Sequence, residues 1–413
     1  MLNMKNLKTL LTLVCVAIYL NIDAQAVFNP EAGCIQDSNG ECVPNTILSA
    51  VPFLRITPDA RSGAMGDVGL ATSPDPNALH FNASKLAFVE KDVSFSATYT
   101  PWLRELGLTD VYLAYLAGYK QIDELSAVGF GLRYFSLGDI SFTDFNGNPL
   151  GNGRPRELEV SFAYARKLSS NFSTGITLKY ILSNLASGLS VGGNDIFSAN
   201  SFAGDVSFTY KGEIGNNDLT IGTAITNLGS KVSYSNSRFR DFLPSNLGIG
   251  ATYSMNLDEY NSLSFSLDLN KLLVPTSIPA LQQNGTGTPG PHPDYDTDGN
   301  GIADFREKGT FPGIIGSFSD APGGFSEELK EINYSFGIEY WYDKQFAVRA
   351  GYYYENFLKG DRKFLTVGVG LEYNVFGLNL SYLVPTNNRR NPLDNTLRFT
   401  FNFDFEAFQG GDF

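Results

Sequence analysis

Residues 397–406 read LRFTFNFDFE and alternate strictly between apolar and polar side chains. Leu397 and the phenylalanines up to Phe405 take every second position, and polar or charged residues stand between them. A period of two predicts a β-strand with one apolar and one polar face. The stretch has the length of a tilted strand that crosses a bilayer, so it indicates a membrane-spanning strand.

The same alternation recurs in segments of similar length along most of the chain. Strands are predicted at 92–100, 109–120, 125–136, 157–168, 171–184, 200–211, 217–227, 244–255, 261–270, 330–342, 345–354, 362–374, 376–384 and 396–406. Their number is even, as closure of an antiparallel membrane barrel requires. The sequence therefore predicts an all-β fold, a transmembrane antiparallel β-barrel of about 14 strands over residues 92–408.

The connections between these strands alternate between short turns and longer loops, and the longest loop covers residues 271–329. Outer-membrane barrels place short turns in the periplasm and long loops outside the cell. The alternation therefore predicts that both chain termini lie on the periplasmic side. A soluble β-sandwich is the alternative, but it has no reason to sort its connections in this way.

Composition excludes several other classes of protein. Hydrophobic residues make up 43% of the chain, yet mean hydropathy is −0.11, which does not fit a bundle of membrane helices. A net charge of −13 without a basic stripe argues against nucleic-acid binding. The 32 Phe and 21 Tyr suit the aromatic girdles of a barrel surrounded by outer-membrane lipid.

Residues 1–24 have the features of a secretory signal peptide, with Lys5 and Lys8 before an apolar run. Cleavage is expected after Ala24 or after Ala26, where small residues follow the run. Export would bring Cys34 and Cys42, in CIQDSNGEC, into an oxidising envelope. We expect them to form a disulfide, and two free thiols are the alternative.

The segment before the first strand does not follow the strand pattern. Residues 45–90 are rich in Pro, Gly, Asn and Asp, but apolar residues such as Phe53, Met65 and Phe88 stand between them. This apolar content argues for packing. Residues 25–91 are therefore expected to hold the disulfide and to plug the lumen or close its periplasmic mouth. A disordered leader is the alternative.

DTDGNGIADFRE, residues 296–307, matches the calcium-loop pattern D-x-[DN]-x-[DN]-G-x5-E without a gap. The predicted Ca²⁺ ligands are Asp296, Asp298, Asn300, the carbonyl of Ile302, Asp304 and Glu307. The preceding Pro- and Gly-rich stretch cannot be a helix, so the loop resembles the free-standing calcium loops of thrombospondin type 3 repeats. An acidic, solvated turn is the alternative.

Little in the sequence points to catalysis. The chain has two histidines, His80 and His292, and no serine lies in a G-x-S-x-G motif. Zinc-ligand spacing is missing, and GAMGDVG at Gly63 lacks the strand and helix of a dinucleotide loop. We therefore predict no catalytic residues and no enzyme.

Phe53–Phe88, which contains PDARSGAMGD and ATSPD, resembles the N-terminal signature of the PorV family. These are outer-membrane proteins of the type IX secretion system of Bacteroidota, similar in fold to FadL-type fourteen-stranded barrels. The resemblance implies a protein that binds the SprA (Sov) translocon barrel, receives the C-terminal signal domain of cargo, and passes cargo to the PorU signal peptidase. The family's pattern assigns no partner-binding residues in this sequence.

Two other functions stay open on sequence alone. A FadL-like channel for hydrophobic small molecules would need an apolar lumen pocket, whereas the alternation places Ser, Thr, Gly, Asp and Glu inside. A lipid-modifying enzyme would need a catalytic His on a strand near the membrane surface, and neither His80 nor His292 lies on a predicted strand.

Overall fold

A closed antiparallel barrel forms the body of the protein. The computed structural model describes residues 27–37, 39–104, 107–143, 146–191, 194–235, 240–283, 289–386 and 395–405. The predicted signal peptide and both candidate cleavage sites lie outside these ranges. No helix within the described ranges is long and apolar enough to cross a bilayer.

The described strands and helices are numbered here along the chain. The strands are β1 Val27–Asn29, β2 Cys34–Gln36, β3 Val93–Pro101, β4 Val111–Asp123, β5 Ser126–Leu137, β6 Ile140–Thr143, β7 Pro149–Gly153, β8 Arg156–Lys167, β9 Phe172–Asn184, β10 Ser190–Val191, β11 Asn194–Asp195, β12 Ala199–Ile214, β13 Asn217–Gly229, β14 Asn246–Asn256, β15 Asn261–Leu272, β16 Leu281–Gln283, β17 Pro289–Pro291, β18 Ile332–Tyr342, β19 Phe346–Tyr354, β20 Lys363–Tyr373, β21 Phe376–Pro385 and β22 Leu397–Asp404. The α-helices are α1 Ala60–Gly63, α2 Ala78–Phe81, α3 Asp304–Glu307, α4 Thr310–Gly316 and α5 Phe325–Glu328, and 3-10 turns cover Pro52–Arg55, Ala83–Phe88, Leu329–Glu331 and Phe357–Lys359.

Fourteen of the described strands pair in chain order to make the barrel: β3, β4, β5, β8, β9, β12 to β15 and β18 to β22. The last strand closes the barrel against the first, with Phe399 opposite Tyr99. Each predicted strand corresponds to one of these, and the largest boundary shift is three residues, at the ends of β4 and β12. The predicted fourteen-stranded barrel is confirmed.

The two faces of the barrel wall differ as the alternation predicts. In β3, Ser94, Ser96 and Thr98 are buried inside, whereas Phe95 on the outer face is 47% exposed. Outward aromatic rings also pack across neighbouring strands, as in the pair Phe95–Phe405, whose ring centroids are 5.8 Å apart. An apolar, aromatic outer face and a polar inner face are what a bilayer selects in a membrane barrel.

The segment before β3 fills the lumen. Around Phe53 and Leu54 it packs against inward side chains near the long-loop end, and around Leu79 and Leu86 it packs nearer the short-turn end. We call residues 50–91 the plug. Gly66 shows how closely it approaches the wall, since its φ is +67° and a Cβ there would lie 2.6 Å from the Tyr352 carbonyl oxygen. The GAMGD motif thus supplies a residue without a side chain at that contact.

The two described ends of the chain lie at opposite ends of the barrel. β22 ends at Asp404, on the side of the short turns, whereas the Asn45 N–H donates to Leu358 O in a long-side connection. The Ala50 N–H likewise donates to Phe242 O in the 230–245 loop. The prediction that both termini share the periplasmic side is therefore wrong for the N-terminal side. The chain enters at the long-loop end and runs the length of the lumen before β3 begins.

Candidate functional site

The longest connection, residues 273–331, and the first described residues build one surface at the long-loop end. β1 pairs in parallel with β16 of that loop, Phe28 opposite Gln282, and β17 and β2 extend the sheet on either side. The Phe28 ring also lies 5.9 Å from the ring of His292. We call this surface, with its loop and its N-terminal sheet, the loop platform.

A disulfide joins Cys34 and Cys42 within the loop platform, with their Cα atoms 5.8 Å apart. Asp37 organises the turn between them, because its Oδ1 accepts the N–H groups of Asn39 at 2.8 Å and Glu41 at 3.0 Å. Side-chain hydrogen bonding of this kind is what makes Asp common in turns. The cross-link closes the edge strand of the platform sheet.

A buried charge network holds the loop to the barrel rim. Lys271 at the end of β15 donates to Glu328 at 2.9 Å and to Glu331 at 2.5 Å. Lys359 contacts Glu327 at 2.5 Å and Glu331 at 2.9 Å. All five side chains are buried, so each charge needs its partner. The network ties the loop platform to β15 and to the 355–362 connection.

A second charged group lies in that same connection. Arg362 donates through Nε and Nη2 to the two carboxylate oxygens of Glu355, at 2.8 and 2.9 Å, and Arg55 of the plug lies 3.6 Å away. Burial alone would raise the pKa of Glu355, but the charges of Arg362 and Arg55 outweigh it and lower that pKa below its ordinary value. The ionised carboxylate therefore helps to join plug and loop.

The predicted calcium ligands lie on the exposed part of the loop platform. One carboxylate oxygen from each of Asp296, Asp298 and Asp304 lies within 4.8 Å of the others. Gly301 has a φ of +83°, the sharp turn that this loop type requires. The structure thus brings together three of the six predicted ligands by their carboxylates.

The other predicted ligands border the same turn. The Asn300 side chain donates to Glu307 Oε1 at 3.0 Å and to Asp298 Oδ2 at 2.8 Å, while Ile302 is buried. Thr297 Oγ1 donates to Asp304 Oδ2 at 2.6 Å. Asp304 and Glu307 lie on the single helical turn α3. Oxygen atoms of these residue types at this spacing suit a hard divalent cation.

An apolar patch stands on the loop platform beyond the acidic turn. Its members are Phe311, Ile315, Phe318, Phe325 and Leu329, with exposed fractions between 48% and 76%. On α4, Gly313 faces the buried ring of Phe242, and this contact turns Phe311 and Ile315 outward. Exposed apolar groups at this density mark an interaction surface. No sequence pattern indicated the patch, because the irregular 273–331 connection has no regular period of apolar residues.

Charged side chains of the wall hold the plug. Arg61 of α1 makes a two-point ion pair with Glu339 of β18, and Arg349 of β19 donates to the same carboxylate at 2.6 Å. The N–H groups of Gly69 and Leu70 donate to Asp268 Oδ2 of β15 at 2.7 and 2.9 Å. The sequence predicted polar residues inside the barrel but not that charged wall residues pair with the plug. The one sign of this pairing in the sequence was the presence of charged residues at inward-facing strand positions.

Two cavities in the described part of the lumen are lined partly by the plug. The one nearer the long loops measures about 110 Å³ and includes Arg55, Lys179 and Asp268 in its lining. The one nearer the short turns measures about 510 Å³, and its lining includes Arg349 and Glu372. Both are lined by several ionisable groups, so neither is the apolar pocket that a hydrophobic ligand prefers.

The two histidines lie apart from each other. His80 is half-buried in the plug, where Arg133 donates to its Nδ1. His292 is buried against Phe28 in the loop platform, its Nδ1 accepts the Asp294 N–H at 3.2 Å, and burial lowers its pKa. Each has a packing role.

Comparisons with known proteins agree with this architecture. The family model described as type IX secretion system protein PorV matches residues 39–279. No curated protein sequence matches the chain.

Solved structures with a similar fold include two toluene transporters and a FadL homologue. The Ralstonia pickettii transporter TbuX is 14% identical, with a TM-score of 0.45, over 83% of this chain and 96% of its own. The Pseudomonas putida transporter TodX is 13% identical, with a TM-score of 0.47, over 87% and 98%. The Pseudomonas aeruginosa FadL homologue is 10% identical, with a TM-score of 0.42, over 88% and 100%.

Proposed function

Because the chain belongs to the PorV family of type IX secretion system proteins, we propose that it binds the translocon barrel and the C-terminal signal domain of secreted cargo. It would then pass cargo to the cell-surface attachment machinery, including a PorU-type signal peptidase. As a member of this family it is an outer-membrane component of type IX secretion and not an enzyme. Binding of the translocon, binding of cargo and transfer of cargo are the roles that we propose.

The proposed orientation places the loop platform outside the cell. The short turns at one end and the long loops at the other support it, since outer-membrane barrels keep their short turns in the periplasm. In this orientation the C-terminal end of β22 is periplasmic, and β1, β2 and the Cys34–Cys42 disulfide lie at the cell surface. A Bacteroidota-type diderm host and a signal peptide over residues 1–24 belong to the same proposal.

The filled lumen is the single observation that carries the proposal of a partner rather than a pore. The plug passes through the whole barrel and is held by buried ion pairs such as Arg61–Glu339. The two cavities beside it are lined by charged side chains. These features disfavour the FadL-like alternative, a channel for hydrophobic molecules. They favour binding of partners at the surface formed by the long loops.

The apolar patch of the loop platform supports a protein partner there. Phe311, Ile315 and Phe325 are each more than 70% exposed, on a connection that stands beyond the membrane-spanning strands. Aromatic and aliphatic groups of this kind dominate the binding energy of protein interfaces when they become buried. We assign the translocon and cargo contacts to this face of the protein.

Calcium is a further part of the proposal. We propose that Asp296, Asp298, Asn300, the Ile302 carbonyl, Asp304 and Glu307 hold a structural Ca²⁺ ion. The converging carboxylates of Asp296, Asp298 and Asp304 support it. Bound calcium would offset their mutual repulsion and stiffen the exposed end of the loop platform.

The deciding experiment is affinity purification of the tagged protein from its own membranes in mild detergent. A very large translocon barrel and secreted proteins with C-terminal signal domains should be recovered with it. The double variant Phe311→Ser and Phe325→Ser should lose most of both, because each change removes an exposed aromatic contact. Recovery of the wild-type protein alone, with bound fatty acid, would favour the channel instead.

Leu48→Ser is the matched control for that double variant. Leu48 is 63% exposed on the N-terminal segment, outside the patch. Its replacement removes a comparable apolar side chain and should leave recovery of translocon and cargo unchanged. Equal losses in control and patch variants would show that the patch is not the contact.

A further inference from the structure

A groove opens on the outer rim of the barrel, away from the lumen and from the apolar patch. It lies between the β6–β7 hairpin and residues 185–189 and has a volume of about 360 Å³. Its lining includes the apolar side chains Phe142, Leu185 and Leu189 together with Arg154 and Arg156. An apolar floor with cationic groups at its edge is chemically matched to an anionic amphiphile.

Arg156 fixes the groove's position relative to the bilayer. It is the first residue of β8, at the long-loop end, and it stands opposite Asn184 of β9. Glu157 and Glu159 point into the lumen and are buried. Because successive residues of a strand face opposite sides, the side chain of Arg156 points outward. The guanidinium therefore lies on the lipid side of the wall.

An apolar column continues down the same face of β8 below the groove. Leu158 and Val160 are partly exposed, and Phe162 is 58% exposed. Every second residue of a strand shares one face, so these side chains follow Arg156 towards the middle of the membrane. A lipid whose phosphate met Arg156 could lay its acyl chains along this column.

Arg154 and Arg156 differ in whether they form an ion pair. Arg154 is held by Asp139 in an exposed ion pair. Arg156 is exposed and, among the described residues, forms no ion pair or side-chain hydrogen bond. A guanidinium without a carboxylate partner, at the boundary of the lipid-facing wall, is suited to two-point binding of a phosphate group.

We propose that this groove binds an anionic, phosphate-bearing lipid of the leaflet on the long-loop side. Arg156 holds the phosphate, Arg154 adds a second positive charge, and Phe142, Leu185 and Leu189 enclose the adjoining part of the headgroup and glycerol or sugar. In the proposed orientation this is the outer leaflet. The site is independent of the secretion partners, since it depends only on the barrel lying in a membrane.

The test uses the purified full-length barrel in detergent, titrated with phosphatidylglycerol or with phosphatidylcholine and followed by native mass spectrometry. Wild-type protein should retain phosphatidylglycerol more tightly than phosphatidylcholine. Arg156→Gln should weaken the phosphatidylglycerol affinity about fivefold, the loss expected for one arginine near an anionic lipid. Arg156→Lys should lose less, because the positive charge remains while the two-point geometry is lost.

Arg166→Gln is the matched control. Arg166 is exposed at the opposite end of β8, on the same outward face, and it lies outside the groove lining. Its replacement should leave lipid retention unchanged, and retained heat-dependent gel mobility should verify that each variant is folded. Equal affinity in wild type and Arg156→Gln, equal losses in both glutamine variants, or displacement by inorganic phosphate as effective as by phosphatidylglycerol would overturn the proposal.

Discussion

Arg61 of the plug and Glu339 of β18 form a two-point ion pair inside the barrel, with Nε–Oε2 at 2.9 Å and Nη2–Oε1 at 2.8 Å. The partners are 278 residues apart in the chain. Arg349 donates to the same carboxylate, so one buried anion lies between two buried cations. The pair joins the plug to the wall, and each of its two side chains is at most 10% exposed.

Replacement of Glu339 by Gln should therefore destabilise the barrel strongly. Arg349 would face a neutral amide in place of its carboxylate partner, whereas Arg61 would keep Asp75 at 3.0 Å. An uncompensated buried charge such as that of Arg349 costs about 3 to 5 kcal/mol. Urea unfolding in detergent micelles, followed by gel mobility, measures the loss. Glu213→Gln, at an exposed position near the end of β12, is the control and should unfold like wild type. An unchanged midpoint for Glu339→Gln would show that the pair is dispensable.

The plug should also keep the barrel electrically closed. At Gly351 of β19, an added Cβ would lie 2.1 Å from the backbone of Met65 and Gly66, so Gly351→Ala must displace the plug. We expect rare, small conductance steps for wild type in planar bilayers and frequent openings for this variant. Overpacking of this kind costs about 1 to 3 kcal/mol, so the barrel itself should survive.

Gly204→Ala provides the comparison for that experiment. A Cβ at Gly204 would meet one backbone oxygen at 3.4 Å, an ordinary contact. The same chemical change on a different strand of the wall, β12, should leave the barrel closed. If Gly351→Ala stays as silent as Gly204→Ala, the plug does not gate the lumen.

The barrel was predictable from sequence because lipid outside and a polar lumen inside impose a period of two on each strand. The convergence of the Asp296, Asp298 and Asp304 carboxylates was predictable because these residues lie within nine positions of one another in the chain. The path of the plug was not, since it has no period and its partners are distant, as Arg61 and Glu339 show. The same holds for β1, whose pairing with β16 joins residues 254 positions apart, Phe28 and Gln282.

Reduction of the disulfide should loosen the loop platform and leave the barrel intact. The Cys34–Cys42 bridge closes a short loop, and a cross-link of this size contributes about 2 to 3 kcal/mol to the segment that it constrains. The double variant Cys34→Ser and Cys42→Ser should show faster proteolysis within 27–45 and 281–291. The unfolding midpoint of the barrel should not move, and a shift of that midpoint would contradict a purely local role.

Calcium removal should also loosen the loop platform, but at residues 296–307 and not at the disulfide. Chelation should speed proteolytic cleavage near residues 296–307, because the carboxylates of Asp296, Asp298 and Asp304 would repel one another without the ion. Asp298→Asn should mimic chelation and abolish the calcium response. Asp294→Asn, just outside the cluster, should keep that response. Cleavage that is indifferent to chelator in the wild-type protein would rule out the calcium site.

Acid should release the 355–362 connection before the barrel unfolds. The ion pairs of Glu355 with Arg362 and Arg55 lower its pKa below the ordinary value of 4.5, against the opposing effect of burial. A carboxyl whose folded pKa is depressed contributes stability above its unfolded pKa, and this contribution is lost as pH falls through the folded value. Protection of the 355–362 amides, expressed relative to their intrinsic exchange rates at each pH, should therefore fall as the pH drops below about 4.5, and the Asn45 contact with Leu358 should loosen with it.

Glu355→Gln separates this mechanism from general acid damage. The amide cannot form the charged pair, so the protection of its 355–362 amides relative to intrinsic exchange should be low at neutral pH and change little as the pH falls. The strands of the barrel serve as an internal standard, since they carry no contact to this carboxyl group in their middle sections. Protection of the wild-type connection that stays constant or rises towards pH 3 would have the wrong sign for a depressed pKa, and it would show that Glu355 does not join plug and loop through its charge.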